Sequence, residues 1–415
     1  MNISRLMKRL LRDRSGNALV IVAATAPLLI AASAIGLDTI QVTLAKRQLQ
    51  RAADSAAMAG AYTVAQSKPP QAAVTRDIEL NNVLVLKGDP VVENAPLTGP
   101  YAGNSRAVKV KLKADRSVPF ISFFTGSAIE IEVEATAALT FSGEMCVISL
   151  ESTAVTGVSF AGNTNVNLGC GVSSNSTSSQ AIVADGSSRV VASPVAAVGG
   201  VPGSSSYVGQ TLLLPNTLKQ EDPFKTLPDP VIPSPCSPEL TVQPNQTRTI
   251  TEGCYQGMDI KGTLVMEPGT YVINGGSLKF GALSNVTGTG VTFILTSSNA
   301  VSNPGSIATI DMHGSAVLDI KAPSSGTYAG VVMYQDRRAT LSNVHINGNS
   351  ASRFQGAFYF PSQQITFNGN TGMQTRCIQF VARRMVFSGN SNIENKCPEN
   401  EGSKAFEALQ VRLVG

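Results

Sequence analysis

The sequence predicts a mainly β protein that begins with a long α-helix, continues with a small α+β domain and ends in a parallel β-solenoid. Three observations carry this prediction: an uncharged apolar span from Ala18 to Leu37, a helical pattern directly after it, and a motif that recurs in the C-terminal part. Gly 37 and Pro 22 among 415 residues, with no Trp, are typical of turn-rich β structure.

The apolar span predicts a membrane helix. At about 1.5 Å per residue, Ala18 to Leu37 covers the roughly 30 Å hydrocarbon core of a bilayer. The basic residues before it are Arg5, Lys8, Arg9, Arg12 and Arg14, against the single acid Asp13. Because positive flanks stay cytoplasmic, we expect a single pass with the N-terminus in the cytoplasm and the bulk in an extracytoplasmic space.

A cleaved signal peptide is the alternative interpretation of this segment. Ala32-Ser33-Ala34 has the small residues of a cleavage site. The apolar run is longer than the usual h-region of about 7–15 residues, and the helical pattern continues beyond it. Both features favour an uncleaved anchor.

The helix is predicted to continue from Asp38 to Gln66, since this stretch contains no Pro and a single Gly. Small residues recur at helical spacing on one face: Ala52, Ala53, Ala56, Ala57 and Gly60. A small-residue face lets another backbone approach closely, and we predict that it faces a partner. Packing on the chain's own domain is an equally open alternative.

The stretch RDRSGNALVIVAATAPLLIAASAIGLDTIQVTLAKRQLQRAADSAAMAGA resembles the N-terminal segment of TadG-like proteins of the tight-adherence (Flp/Tad-type) pilus assembly system. The resemblance rests on the Arg-Ser-Gly-Asn step, the Pro in the span, the Leu-Asp after it and the LQRAADSAAMAGA block. It implies a bacterial inner-membrane protein whose partners are inner-membrane and pseudopilin-like components. Related pseudopilins carry a Glu five residues after the Gly, whereas Ile21 stands at that distance from Gly16.

The middle segment predicts a small helix-plus-hairpin domain, like the head of a pilin-type protein. Pro69-Pro70 ends the long helix, and 71–84 is a short helix candidate. Apolar and charged residues alternate in 108–113 and 129–134, which is typical of strands. Antiparallel pairing would place three Lys opposite three Glu, namely Lys109, Lys111 and Lys113 and Glu130, Glu132 and Glu134. A solvated face is favoured over a partner surface.

A repeated motif indicates the solenoid. The form F-x-G-N-[ST] with a Cys at its end occurs in 160–170, 367–377 and 387–397, with a weaker copy at Ile346. A period near 20 residues predicts a right-handed parallel β-helix. The motif Asn residues, Asn163, Asn349, Asn370 and Asn390, are expected at one bend. The phrase EPGTYVINGGSLKF also resembles the solenoid that some TadG-like proteins carry instead of a von Willebrand A domain.

The predicted organisation is a basic leader 1–17, a membrane helix 18–37, its continuation 38–66, the small domain 67–142, first coils 143–208, a Pro-rich strap 209–248, the main β-helix 249–400 and a tail 401–415. An even number of Cys in an exported chain predicts disulfides. Separations near one coil predict the pairs Cys146–Cys170, Cys236–Cys254 and Cys377–Cys397. The last pair is expected to close the end of the solenoid.

Residues for catalysis are sparse. A sugar-cleaving β-helix needs clustered Asp residues, or Asp-bound calcium with an Arg base, and the chain has no Asp-Asp pair. The candidates are Asp311 with His313, His345, Asp336-Arg337-Arg338, Arg383-Arg384, and the scattered Asp259 and Asp319. Solvated faces and loop ion pairs explain them better, so we expect no catalytic, cofactor or metal site. A net charge of +4 without a basic block beyond the leader indicates no nucleic-acid partner.

The sequence therefore predicts a non-enzymatic, inner-membrane-anchored component of Flp/Tad-type pilus assembly with a periplasmic β-helix that binds partners. A surface adhesin that binds a cell-surface glycan is the alternative, and a polysaccharide-acting enzyme is a further one. An exposed aromatic stripe would favour the adhesin, and a compact acidic groove would favour the enzyme.

Overall fold

The computed structural model describes residues 17–348, 351–369, 373–375, 377–389, 392–395 and 406–415. The chain divides into two compact units, Met1–Thr140 with Val411–Gly415, and Phe141–Gln410. We call them the α/β unit and the parallel-sheet unit.

The α/β unit begins with one continuous helix, α1, Asn17–Ala65, which contains Pro27. This confirms that the helical pattern runs unbroken beyond the apolar span. Within the span, the hydroxyls of Thr25 and Ser33 each donate to the carbonyl four residues earlier, at 2.8 Å. These hydroxyls therefore have partners inside the helix, as an apolar environment requires.

The rest of the α/β unit packs on the second half of α1. Its elements are α2 Gln71–Asn81, β1 Val91–Asn94, β2 Ala107–Arg116, α3 Ile121–Thr125 and β3 Ile129–Ser149. Strand β2 pairs antiparallel with both β1 and β3. The apolar side chains of β2, such as Val108 and Val110, are fully buried. The predicted hairpin is thus confirmed, and β1 adds a strand that the alternation did not reveal.

The parallel-sheet unit consists of short strands and the second half of β3. The strands are β4 Val158–Phe160, β5 Asn165–Asn167, β6 Gly171–Ser174, β7 Ile182–Ala184, β8 Arg189–Val191, β9 Val195–Ala197, β10 Leu213–Leu214, β11 Leu240–Val242, β12 Thr247–Ile250, β13 Gly253–Tyr255, β14 Met258–Ile260, β15 Thr263–Met266, β16 Gly269–Asn274, β17 Ser277–Phe280, β18 Asn285–Thr289, β19 Val291–Thr296, β20 Thr309–Met312, β21 Val317–Lys321, β22 Val331–Gln335, β23 Asn343–Gly348, β24 Arg353–Gly369, β25 Met373–Thr375, β26 Cys377–Gly389, β27 Asn392–Asn395 and β28 Phe406–Leu413.

Many strands pair in parallel with a strand about one motif period away, whereas Ser277 pairs with Thr309 and Phe293 with Met333, 32 and 40 residues away. Cys254 lies opposite Val272, and Phe358 lies opposite Phe380. One ladder runs in the order β13, β16, β19, β22, β24, β26, β3, β6, β9, β10. A second runs in the order β11, β14, β17, β20, β23, β24, β26, β4, β7. The structure is thus mostly β with a large parallel sheet.

The order of strands in these ladders differs from their order in the sequence. Strand β26 lies between β24 and the first strands of the unit, β3 and β4. The expectation that 377–397 closes an end of the array is therefore wrong. The edge of a strand presents unpaired backbone N–H and C=O groups. Here β3 and β4 pair with those groups of β26.

Aromatic and aliphatic side chains form the core of the parallel-sheet unit. Phe160 and Phe387, which hold the same motif position, are buried and stack with ring centroids 5.0 Å apart. The left-handed backbone at the motif bend belongs to Gly162 and Gly389, with φ of 77° and 82°. Asn163 is not among the positive-φ residues, and Asn349, Asn370 and Asn390 lie outside the described residues.

Candidate functional site

The small-residue face of α1 packs inside its own unit. Ala53, Ala56 and Ala57 have no exposed surface, Ala52 has almost none, and Gly60 is also buried. A Cβ added at Gly60 would lie 2.9 Å from methyl carbons of both Val108 and Val74. The prediction that this face meets a partner is therefore wrong, because α2 and β2 already cover it.

The Lys and Glu residues of the hairpin form a network that includes two groups from outside it. Lys111 lies opposite Glu134 in the register but bonds Glu93 of β1, with Nζ and Oε1 2.7 Å apart. The register puts Asp115 opposite Glu130, and Lys87 bridges both. Two carboxylates placed opposite each other repel, and the positive charge of Lys87 offsets this repulsion.

The remaining hairpin pairs follow the predicted pattern more closely. Lys113 lies opposite Glu132, with Nζ and Oε2 3.1 Å apart. Lys109 reaches Glu134 diagonally at 3.5 Å, and its side chain is nearly buried. The charged face is therefore partly covered rather than fully solvated.

Asp38, directly after the apolar span, joins α1 to the tip of the hairpin. Its side chain is 1% exposed. One carboxylate oxygen accepts hydrogen bonds from the backbone N–H groups of Phe120 and Ile121, at 2.9 and 2.6 Å. A buried carboxylate needs such partners, and here they come from the start of α3.

The acid and histidine candidates on the strands lie on exposed surfaces. Asp311, His313 and His345 are all exposed. Asp259 is bound by Lys261, with Nζ and Oδ2 2.7 Å apart. Asp319 belongs to β21, a different strand from Asp311. Among the residues that the structure describes, no group of three His, Cys, Asp or Glu side chains could hold a metal ion.

In the sequence Asp336-Arg337-Arg338, Asp336 and Arg338 form an ion pair, whereas Arg337 binds the Pro-rich strap. Asp336 is buried, and Arg338 binds it through two nitrogens at 2.8 and 2.6 Å. Thr296 also donates to it at 2.7 Å. Burial opposes ionisation of Asp336, but these hydrogen bonds outweigh burial and lower its pKa.

Arg337 holds the Pro-rich strap. Its guanidinium donates to the carbonyls of Leu227 and Phe224 at 2.9 and 2.5 Å, and to the hydroxyl of Tyr359 at 2.9 Å. The Tyr359 hydroxyl donates in turn to Asp222 of the strap at 2.7 Å. The predicted strap is thus bound to the parallel sheet at these points, and no pattern in the sequence indicated this role of Arg337.

Arg383 and Arg384 share one buried carboxylate. Both Nε atoms bond Oε2 of Glu151, at 3.0 and 2.7 Å. Glu151 also accepts bonds from Thr153. Burial opposes its ionisation, but the hydrogen bonds from Thr153 and the two arginines lower its pKa to about 2. Sequence analysis missed Glu151 because its arginine partners are more than 200 positions away.

Two of the three predicted disulfides are present. Cys146 bonds Cys170 and Cys236 bonds Cys254, with Cα atoms 5.8 and 4.5 Å apart. The third predicted pair includes Cys397, which lies outside the described residues. Each disulfide therefore joins two neighbouring segments of the array covalently.

Comparison with known proteins identifies the N-terminal segment. Residues 16–65 match the model of the family described as "Putative Flp pilus-assembly TadE/G-like". This confirms the TadG-like resemblance of that segment and supports a role as a pilus-assembly component. Neither a curated protein nor a solved structure matches the chain.

The matched segment coincides with helix α1. Among the described residues, it contains the one helix that is long and apolar enough to cross a membrane, by length and composition. Proteins of the Tad system are envelope-associated. The apolar helix and the family match thus support a pilus-assembly role and a link to a membrane.

Proposed function

We propose that this chain is a non-enzymatic component of Flp/Tad-type pilus assembly, anchored in the bacterial inner membrane with its bulk in the periplasm. The observation that carries the proposal is the coincidence of the TadE/G-like segment, 16–65, with the continuous helix α1. The first half of this helix is apolar and exposed, while its second half is the core of a folded unit. Such a helix holds a domain directly at the membrane surface.

The parallel-sheet unit is, in this proposal, a right-handed β-helix that binds other pilus-assembly proteins, both inner-membrane and pseudopilin-like. The parallel pairing of strands about 20 residues apart supports this architecture. Two disulfides and the clasped strap support a rigid array suited to presenting a fixed surface. A preformed surface lowers the entropic cost of binding a partner.

The positions of the charged candidates support a structural role over polysaccharide cleavage. Asp336 and Glu151 are buried and bonded to arginines, so their charges already have partners. The aromatic side chains of Tyr334 and Tyr359 are also buried, and the strap lies against them. These rings hold the strap rather than offering a platform for a glycan.

The proposal is tested by deletion and complementation. We expect that loss of the chain impairs pilus-dependent surface attachment and that the full chain restores it. A matched variant has residues 1–34 replaced by a cleavable secretion signal, which delivers the same domains to the periplasm without the anchor. This variant should accumulate to the same level but fail to restore attachment. Full restoration by it would contradict the anchored role.

The adhesin alternative makes a different prediction about exposure. A periplasmic protein resists protease added to intact cells and is digested after the outer membrane is permeabilised. A surface adhesin is digested in both conditions. Digestion in intact cells would therefore replace the present proposal with the adhesin.

The enzyme alternative is tested with the purified chain and a panel of sugar polymers. We expect no cleavage. Cleavage that an Asp311→Asn substitution abolishes would place catalysis at the exposed face of β20 and overturn the non-enzymatic proposal.

A further inference from the structure

Two neighbouring phenylalanines protrude from the tip of the β2–β3 hairpin. Phe123 and Phe124 are 81% and 75% exposed, and their ring centroids lie 5.5 Å apart. Large aromatic side chains are usually buried. Two adjacent ones that are mostly exposed form an apolar patch, and such patches mark sites of interaction.

The tip is bound to α1 at the residue that directly follows the apolar span. The carboxylate of Asp38 accepts hydrogen bonds from the N–H groups of Phe120 and Ile121. Asp38 directly follows Leu37, the last residue of the uncharged span. The phenylalanines therefore lie within a few residues of the point where α1 leaves the hydrocarbon core.

The direction of β2 confirms that the tip is the part of the hairpin nearest the span. The beginning of β2 lies beside the far part of α1, since Val108 would contact a Cβ at Gly60. Gly60 stands 22 residues beyond Asp38, or about 33 Å along the helix axis. From Val108, the strand runs back toward the span and ends at Arg116, four residues before Phe120, which is bound to Asp38.

The tip itself carries no charge, and the nearest charged residues of the hairpin, Asp115, Arg116 and Glu130, lie at its base, where Lys87 bridges Asp115 and Glu130. No charged residue occurs between Arg116 and Glu130. On α1, Asp38 is the only charged residue between Arg14 and Lys46, and it is buried. Ile40 and Leu44, just beyond the span, are more than half exposed. Charges are costly near the hydrocarbon, whereas aromatic rings are favourable at the interface, and this zone has both properties.

We propose that Phe123 and Phe124 insert into the lipid bilayer, in the interfacial region of the leaflet where the span ends. The inference rests on the proposed membrane crossing of α1 and adds a second contact to it. One helix alone leaves the domain free to tilt about its exit point. The tip, held by Asp38, supplies a second point that fixes the orientation of the α/β unit on the membrane surface.

The absence of Trp from the chain makes a depth measurement straightforward. Single substitutions Phe124→Trp and Phe123→Trp are made in the full chain, which is reconstituted into bilayers containing phosphatidylcholine brominated at shallow or deep acyl positions. Bromine quenches a Trp that lies beside it. Leu97→Trp is the matched control, because Leu97 is also 81% exposed in the same unit but follows β1 near the end of the hairpin farthest from the tip. Leu28→Trp reports on the middle of the span.

We expect both Phe variants to lose most of their fluorescence with shallow bromines and less with deep ones, and their emission to be shifted to the blue. Leu97→Trp should be unaffected, and Leu28→Trp should be quenched most by deep bromines. Quenching of Leu28→Trp without quenching of either Phe variant would overturn the second contact alone. That result would indicate a protein partner or a second copy at the tip. Absence of quenching at Leu28→Trp would overturn the membrane crossing itself, and the tip contact with it.

Discussion

The α/β unit and the parallel-sheet unit use charged side chains in different ways. In the α/β unit, Lys113 and Glu132 pair on an exposed strand face. In the parallel-sheet unit, Glu151 and Asp336 are buried and bonded to arginines. Exposed pairs contribute little to stability, whereas removal of one partner from a buried pair leaves a charge without compensation. Both units have an apolar core, and the parallel-sheet unit adds buried charge pairs that join positions far apart in the sequence.

The largest effect is expected from the disulfide that joins β3 to β6. In the chain-entropy model, closing a loop of this length stabilises by about 3.5 kcal/mol. Replacing both Cys146 and Cys170 by Ser should therefore lower the denaturation midpoint of the parallel-sheet unit strongly. Peptide mapping without reduction checks the pairing first. A linked Cys170–Cys236 peptide would contradict it.

Removal of the Glu151 carboxylate is expected to be nearly as damaging. Glu151→Ala leaves Arg383 and Arg384 without their shared partner. We expect a loss of about 3 kcal/mol, at the low end for buried pairs because the two arginine side chains are 35% and 22% exposed. Chemical denaturation of the detergent-solubilised protein measures it. A loss below about 0.5 kcal/mol would show that the network contributes no more than a surface pair.

The pKa of Glu151 also predicts a pH dependence. Its folded-state pKa of about 2 lies below the ordinary value of 4.5. The ionised form therefore stabilises the fold fully above about pH 4.5, and this stabilisation is lost as pH falls from there toward 2. Glu151→Gln should flatten the decline in stability over this window. An unchanged slope would contradict the assignment.

A smaller and more local effect is expected at the strap. Arg337→Lys removes the planar group that reaches two strap carbonyls and Tyr359 at once. We expect docking of the strap to weaken by about 2 kcal/mol, or roughly 30-fold in the open population. Limited proteolysis should then cut within 215–235 faster. Arg353→Lys, at an exposed position of β24, is the matched control and should leave the rate unchanged.

The smallest effect is expected on the hairpin. Glu132, whose side chain is 52% exposed, pairs with Lys113 at the surface. Glu132→Gln should change the free energy of unfolding by less than about 0.5 kcal/mol. Denaturation under the conditions used for Glu151→Ala tests the contrast between the two units. Equal losses of unfolding free energy in Glu132→Gln and Glu151→Ala would contradict the difference between the two units.

Patterns within short stretches of the sequence predicted much of the fold, because alternation and spacing depend on the geometry of neighbouring residues. The alternation in 108–113 and 129–134 identified the hairpin, and the Cys spacing identified two disulfides. The pairing of β26 with β3 was not predictable, since a repeat shows which segments resemble each other and not which become neighbours. The small face of α1 has the same composition whether it meets α2 or a partner, so the sequence left that choice open.

The candidate site shows the same limit. The hydrogen bonds of Asp38 to Phe120 and Ile121 join positions more than 80 residues apart, as does the contact of Arg337 with Phe224. Neither contact follows from periodicity or spacing. The side chains that bind the hairpin tip to α1 and the strap to the parallel sheet were therefore visible only in the structure, whereas the segment that matches a known family was visible from its residues.

The central claim is that the apolar span and the core helix of the α/β unit remain one uncut helix in the cell. The intact mass of the protein extracted from membranes, with N-terminal sequencing, tests this most directly. We predict a chain that retains all of α1, including Ala18 to Leu37. A mature chain that begins near Ile35, after Ala32-Ser33-Ala34, would contradict the claim and make this a released protein.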